Sequence, residues 1–446
     1  MTSVSQLLRS NRDYRLIWLS GALSGFGDFI FETTILIWIA TELADGKSWA
    51  PSVTSAMLAA SAIPVLLIGP FAGVFADRLN PRTIRLVATS MSAALIFGLS
   101  ITAIDSVNIR LGVQIGLILG TVALASAVAQ FLSPAAAVMV RDIVAQEDLG
   151  VAAGASQSVS NFNMLIAPAL AALLYASFGP FIGMTINALS FVAAAGLVSF
   201  VGNRPEWQVW CSANLPGHYW SDFRAGIIEF GRYPVLRILS ISLIVLMVGG
   251  GVLNGLDVFF IKDNLGASNR EFGLFFSAQG AGMLLGSIVA TWVLSKRPVH
   301  ELIWIGLFGM GVVLLVYARL SSVIAAIGAI GILGIFIAFL TVAVGPVMMT
   351  SVPREFIGRV SSLINPLINI GSLAGLAIGG ISYSLLIGSF DTDVGFFRFR
   401  PIDTLFMIAA LMTIATGIWS KYALDRILGQ ESQGPVGSGR VDGESS

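Results

Sequence analysis

Charged residues are scarce in this chain, since only 11% of its 446 residues are Asp, Glu, Lys or Arg. Soluble domains carry about 25%. Hydrophobic residues make up 56% of the chain and the mean hydropathy is +0.85. Lipid rather than water is therefore expected around most of the protein. The net charge of zero argues against a nucleic-acid partner.

Cysteine and histidine are almost absent. The single cysteine, Cys211, excludes an intrachain disulfide and a Cys-rich metal site. The two histidines, His218 and His300, fall in polar loops, so we expect both at the surface and no histidine relay within the membrane. The first 15 residues are polar and basic, without the pattern of a cleavable signal. We expect no bound metal and no other cofactor.

Long apolar runs are what the chain has instead. A helix needs about 20 apolar residues to cross the hydrocarbon layer. Twelve runs meet this length: 15–41, 52–76, 83–104, 111–140, 152–176, 180–201, 236–261, 271–295, 301–319, 322–349, 360–388 and 402–424. They predict an all-α integral membrane protein with twelve transmembrane helices, and no segment predicts a strand.

The basic residues indicate the orientation of these helices. Twelve crossings place both termini on one side, where 18 of the 25 Lys and Arg residues fall, against seven on the other side. Because cytoplasmic loops are enriched in Lys and Arg, we expect both termini in the cytoplasm and the protein in the cell inner (cytoplasmic) membrane.

The longest polar interruption divides the chain into two six-helix halves. The predicted units are the N-terminal half 1–201, a cytoplasmic linker 202–235, the C-terminal half 236–428 and a disordered tail 429–446. Within the linker, 221–230 is typical of an amphipathic helix on the membrane surface. Similar segments at 169–175 and 377–383, ending in Tyr175 and Tyr383, predict that the halves are pseudo-symmetric.

A charged turn lies between the second and third runs, with the sequence Gly73-Val-Phe-Ala-Asp77-Arg78-Leu-Asn-Pro-Arg82. It resembles the G-x-x-x-D-R-x-G-R-R loop of the major facilitator superfamily, with Asn80 and Pro81 at the family's Gly and Arg positions. The resemblance implies a transporter in which this turn belongs to the conformational switch. We expect a gate formed by Gly73, Asp77, Arg78 and Arg82, joined by Arg359 after the tenth span. The alternative for the region of Arg359 is a solvated loop.

Further motifs narrow the resemblance to the branch of macrolide efflux proteins and the enterobactin exporter. They are Asn11-Arg-Asp-Tyr-Arg-Leu-Ile-Trp18, Gly27-Asp28, Ser133-Pro134, Arg224-Ala-Gly226, Pro234-Val-Leu-Arg237, Val352-Pro353 and Gly358-Arg359-Val360. The chain departs from many antiporters in carrying Ala167-Pro168 instead of Gly-Pro. It also lacks the arginine that many drug antiporters carry in the fourth span. Export rather than import rests on this resemblance.

Asp28 and Glu32 are candidate proton-coupling residues because an ionised side chain is costly within a membrane. They are four residues apart and so share one helix face, which Gly21 and Gly25 continue. Two poorly solvated carboxylates repel each other, so we expect at least one to hold a proton near neutral pH. The alternative is that Asp28 braces neighbouring helices while Glu32 lies in an outer vestibule.

The seventh span repeats the first and carries Asn254 and Asp257 after three consecutive glycines. We assign both to the coupling site or cargo cavity, with an outer vestibule as the alternative for Asp257. Gln279 in the eighth span is a further candidate cargo contact, with a hydrogen bond between helices as its alternative.

Two stripes of glycine at four-residue spacing predict close helix packing. They are Gly112, Gly116 and Gly120 in the fourth span, and Gly371, Gly375 and Gly379 in the eleventh.

The leading hypothesis is an exporter, not an enzyme, that moves an amphipathic drug, macrolide, siderophore or secondary metabolite outward in exchange for protons. Apolar spans with few polar groups favour such a cargo over a sugar. One alternative is a metal-ion carrier in which Asp28, Glu32 and Asp257 supply oxygen ligands. Another is a sensor or scaffold that transports nothing. We expect the protein to be monomeric in the bilayer.

Overall fold

The structure, a computed structural model, describes residues 4–47, 49–69, 72, 79–104, 109–202, 234–294, 296–351, 357–386, 392–394 and 397–431. Its helices are α1 Val4–Ser10, α2 Arg12–Trp38, α3 Ala50–Leu67, α4 Pro81–Ile101, α5 Leu111–Ala129, α6 Leu132–Ile143, α7 Leu149–Phe178, α8 Pro180–Ser199, α9 Pro234–Phe259, α10 Asn269–Leu294, α11 Val299–Tyr317, α12 Val323–Ser351, α13 Ile357–Leu386 and α14 Pro401–Glu431.

The predicted twelve-helix architecture is confirmed. Eleven segments of the described chain are long and apolar enough to cross a membrane, and Ile368–Tyr383 of α13 forms a shorter apolar helix. The fourth crossing consists of α5 and α6, which are separated by a turn at Gln130 and Phe131. The twelfth helix, α14, continues to Glu431, three residues into the predicted tail. The amphipathic helix predicted at 221–230 and the rest of the tail lie outside the described residues.

One short hairpin is an addition to the predicted fold. Strands β1 (Thr392–Val394) and β2 (Phe397–Phe399) pair antiparallel between α13 and α14, with Thr392 opposite Phe399. Thr, Val and Phe favour extended backbone, but three-residue strands are too short to show a periodicity in the sequence. The fold class remains all-α.

The helix pairings show the pseudo-symmetry of the two halves. In the N-terminal half α2 packs on α7 and α8, and α4 packs on α8. The equivalent helices of the C-terminal half make the equivalent pairs, with α9 on α13 and α14, and α11 on α14. Both α2 and α9 continue into a five-residue π-helical turn, Ile39–Leu43 and Phe260–Asn264. Gly46 and Gly266 follow these turns with φ of 66° and 67°, a backbone conformation that favours glycine.

One of the two predicted glycine stripes packs as expected. In α13, a Cβ on Gly375 would lie 2.9 Å from the Cα of Gly251 in α9, so this close packing needs glycine and the prediction is confirmed. The prediction for α5 is wrong, because a Cβ on Gly112, Gly116 or Gly120 would meet no atom within 4 Å. Spacing shows which residues share a face, but it does not show whether that face meets another helix.

Candidate functional site

Close contact between α2 and α8 sets the rotation of α2 about its own axis. A Cβ on Gly27 of α2 would lie 3.0 Å from Cβ of Ser190 in α8, and Asn187 is equally crowded against it. Further along, a Cβ on Gly183 of α8 would lie 3.0 Å from Cγ2 of Thr34. Two glycines, one from each helix, therefore hold α2 and α8 together in one orientation.

This orientation gives α2 two exposed faces. Leu19 and Leu23 are 36% and 40% exposed on one face, as expected of side chains that meet lipid. Asp28 and Glu32 are exposed on another face, together with Gly21. Since successive helical residues turn by about 100°, Asp28 lies roughly opposite Leu19. The two carboxylates therefore lie roughly opposite the exposed leucines of α2.

The structure separates the two candidates of α9. Asn254 is exposed, whereas Asp257 is only 9% exposed and accepts a hydrogen bond of 2.5 Å from the hydroxyl of Tyr317 in α11. Aromatic rings surround this bond, because the rings of Phe260 and Phe406 lie 4.8 Å and 6.1 Å from that of Tyr317. Three helical residues leave a rotation of about 60° between Asn254 and Asp257. That rotation places Asp257 inside the C-terminal half rather than on the surface that Asn254 exposes.

Gln279 lies where α10 crosses two other helices. Its neighbour Gly280 packs on α7, where a Cβ would lie 3.0 Å from Cα of Leu165. Gly282, three residues after Gln279, packs on α12, where a Cβ would lie 3.2 Å from Cα of Gly331. The Gln279 side chain is half-buried. These surroundings favour a role between helices.

Only part of the predicted gate falls in the described chain. Arg82 donates to the carbonyl oxygens of Ser199 and Val198, at 2.6 Å and 3.4 Å, at the C-terminus of α8. A cation is favourable at that end of a helix dipole. Outside the described part lie Gly73, Asp77, Arg78 and the side chain of Arg359. The role of the gate stays a prediction.

Asn80 and Pro81, which depart from the resembled loop, begin α4. The Asn80 side chain accepts hydrogen bonds from the backbone N–H groups of Arg82 and Thr83 at 3.0 Å and 3.2 Å. Asparagine is a favourable N-cap and proline suits the first helical position. The departures therefore give the third span a well-capped start.

Several described contacts join the two halves on the membrane side opposite α1. The Lys262 ammonium donates to the carbonyl oxygen of Ala40 at 2.8 Å and forms an ion pair with Asp45 at 2.5 Å. This hydrogen bond and the charge of Lys262 hold the pKa of Asp45 below its usual range. Ser52 also donates to the carbonyl oxygen of Gly380 at 3.2 Å. These contacts hold the two halves together on that side.

Sequence reasoning missed four polar groups in the described chain. Arg85 and Asn187 are buried among α2, α4 and α8, Tyr317 partners Asp257, and Lys262 joins the halves. One signal was available for Lys262, because it and its partner follow the equivalent first helices of the two halves. The other three show no local pattern, since each depends on helices distant in sequence.

The profile of the Major Facilitator Superfamily matches residues 17–375. An uncharacterized MFS-type transporter of Bacillus subtilis (strain 168), YfiS, is 23% identical over 385 residues, covering 84% of this chain and 88% of the relative. Macrolide efflux protein A of Streptococcus pyogenes is 22% identical over 376 residues, covering 82% of this chain and 88% of that protein.

Solved transporters share the fold. The crystal structure of nucleoside transporter NupG superposes with a TM-score of 0.70 at 10% identity, covering 92% of this chain and 99% of that one. A bacterial homolog to the human lysosomal transporter Spinster, in an inward-facing and unoccupied conformation, gives a TM-score of 0.63 at 14% identity, with 92% and 95% covered.

Proposed function

Because the chain belongs to the major facilitator superfamily, we propose that this membrane transporter exports an amphipathic small molecule by proton antiport. The observation that carries the proposal is the exposed pair Asp28 and Glu32, roughly opposite the exposed leucines at the middle of a membrane-spanning helix. An ionised side chain at that depth is costly and usually serves a function. Two carboxylates one helical turn apart repel each other when both are ionised, so the pair is more stable when one of them is protonated. A proton bound there can be exchanged for cargo.

The proposed cargo is a drug, a macrolide, a siderophore or a secondary metabolite. Asp28, Glu32 and Asn254 offer a few polar contacts on helices that are otherwise rich in apolar residues. Sparse polar groups in an apolar cavity suit an amphipathic molecule. The likeness to macrolide efflux protein A supports a macrolide as the first cargo to test.

The proposed orientation has both termini in the cytoplasm, supported by the 18-to-7 division of basic residues. The contacts of Lys262 then close the outer side, so cargo would enter from the cytoplasm, as export requires. The predicted gate of the turn at 73–82 and Arg359 would close the cytoplasmic side in the other conformation.

Cysteine labelling tests this orientation. In a Cys211→Ser background, cysteines introduced at positions 47 and 394 should react with an impermeant thiol reagent outside intact cells. A cysteine at position 215 should react only after the cells are opened. Labelling at 215 in intact cells would reverse the orientation.

A metal-ion carrier fits the described chain less well. A protein site for a hard cation commonly needs several oxygen ligands. No group of three or more His, Cys, Asp or Glu side chains arranged to hold a metal occurs among the described residues. Asp257, the third carboxylate of that hypothesis, is engaged by Tyr317.

Export from proteoliposomes tests the function. Purified protein should move radiolabelled erythromycin against its gradient when protons flow in the opposite direction. Asp28→Asn should abolish this movement, because the amide cannot exchange a proton, and Glu32→Gln should shift its pH optimum. Glu147→Gln, which removes an exposed carboxylate outside the bundle, is the matched control and should match wild type.

Each outcome separates two ideas. If Asp28→Asn still concentrates cargo when protons flow, Asp28 is not the coupling residue. If neither erythromycin nor other amphipathic compounds respond to a proton gradient in wild type, antiport is wrong. A wild type that moves none of them down any gradient would favour the sensor or scaffold.

A further inference from the structure

A buried arginine lies within the N-terminal half. Arg85 on α4 is 4% exposed, and its Nη2 atom donates to the hydroxyl of Ser20 on α2 at 3.1 Å. Its Nε atom is buried without a hydrogen-bond partner. Among the described residues no carboxylate lies within ion-pair distance of it. A buried charge without a counter-charge is costly, so its presence calls for a function.

Polar side chains continue from Arg85 towards Asp28. Ser92 lies two turns further along the same buried face of α4, and its hydroxyl has no partner. Asn187 on α8, the helix that packs on both α2 and α4, is fully buried. Asn187 lies beside Gly27, directly before Asp28. These groups form a polar row inside the N-terminal half.

Other charged groups near α2 are engaged elsewhere. The titratable residues on the elements that pack against α2 are Tyr175 on α7, Glu42 in the π-helical turn, Arg141 and Asp142 on α6, Arg270 and Glu271 on α10, and Arg9 on α1. The side chain of Arg270 lies outside the described part of the structure. Tyr175 bonds Glu42, Arg141 pairs with Asp142, Glu271 bonds Ser268, and Arg9 is exposed at the membrane edge. Helix α8 carries no titratable residue. Within the half, Glu32 and Arg85 are left to act on Asp28.

We propose that Arg85 is a positioning residue that favours the ionised form of Asp28 through this polar row, and so sets the pH at which Asp28 releases its proton. The inference rests on the proposed function, since it takes Asp28 as the proton-binding group. Ser20 and Asp28 are eight residues apart, which is about 12 Å along a helix. Because Ser20 contacts Arg85, this length also sets the scale of the separation between the Arg85 charge and Asp28. Inside a protein, a unit charge at that separation shifts the titration midpoint of a carboxyl group by about one pH unit.

Infrared titration of the full-length protein in proteoliposomes tests the inference with the proton as the probe. The protonated-carboxyl band that disappears in Asp28→Asn identifies Asp28. Its midpoint should rise by about one pH unit in Arg85→Gln, because without the cation the carboxylate is less favourable and the proton is held to higher pH. Arg85→Lys keeps the charge and should restore most of the wild-type midpoint. Arg297→Gln removes an exposed arginine and should leave the midpoint unchanged.

A second variant covers the case in which Arg85→Gln does not fold. Ser20→Asp places a carboxylate against Arg85 and cancels its charge locally, so it should raise the midpoint in the same direction. An unchanged midpoint in either folded variant overturns the inference. The proposed function survives an unchanged midpoint if, in the same vesicles, the wild type still exports cargo when protons flow and Asp28→Asn does not. If Asp28 does not titrate, the inference falls, and the export assay decides the function separately.

Discussion

The buried hydrogen bond between Tyr317 and Asp257 gives a prediction whose size follows from the structure. Tyr317→Phe removes only the hydroxyl, since the ring keeps its contacts with Phe260 and Phe406. Tyr317 is 0% exposed and Asp257 9% exposed, so water replaces the lost donor poorly. A buried acceptor left without its donor costs about 1–3 kcal/mol. The free energy of unfolding should fall by that amount.

Denaturant unfolding of the purified protein in detergent micelles, followed by circular dichroism, measures this change. The matched control is Tyr422→Phe, because Tyr422 is 71% exposed on α14. Its free energy of unfolding should stay within about 0.5 kcal/mol of wild type. Asp257→Asn keeps an oxygen that accepts from Tyr317, so it should destabilise less than Tyr317→Phe and retain proton-driven export.

Two results would refute this reasoning. If Tyr317→Phe unfolds at the same denaturant concentration as wild type, the hydrogen bond does not stabilise the C-terminal half. If Asp257→Asn is stable but cannot couple export to protons, Asp257 belongs to the coupling site, as its place in the sequence suggests.

The remaining predictions concern contacts between helices. Lys262→Ala should increase outside labelling of Ser52→Cys, because it removes the ion pair with Asp45. The charge swap Lys262→Asp with Asp45→Lys should reverse the increase, and unchanged labelling in Lys262→Ala would refute a closing role. Gly375→Leu should sharply reduce the yield of folded protein, measured by size-exclusion chromatography, because a side chain there meets the backbone of α9. Gly116→Leu, in open space, should be tolerated, and equal yields would contradict the packing.

The number of helices could be predicted because lipid imposes a simple length requirement. A run of about 20 apolar residues is visible without knowing its neighbours. The repeat was visible as well, since the segments ending in Tyr175 and Tyr383 belong to the equivalent helices α7 and α13. The break between α5 and α6 had one signal in the sequence, Pro134 in the first turn of α6, which the apolar run 111–140 did not take into account.

Rotation about each helix axis was the part that sequence spacing could not give. Asp28 and Glu32 share an exposed face because four residues nearly complete a turn. Asn254 and Asp257 also satisfy a helical spacing, yet the remaining angle of about 60° separates an exposed amide from a buried carboxyl. The direction of that angle depends on where α11 supplies Tyr317, which no residue of α9 encodes.

The burial of Arg85 could not be predicted from the sequence either. Counting basic residues places Arg85 at the cytoplasmic end of the third span, and this helps to predict the orientation. The count assumes that an arginine near a helix end extends to the membrane surface, as long basic side chains commonly do. In α4 the side chain instead turns inward, where Ser20 of α2 receives it. The position of a residue along a membrane-spanning helix can be predicted from the local sequence. The direction of its side chain depends on helices distant in sequence, so a charge buried inside the bundle is not recognised from the sequence alone. The titration midpoint of Asp28 in Arg85→Gln therefore tests whether Arg85 acts on Asp28 or is only one of the basic residues that set the orientation.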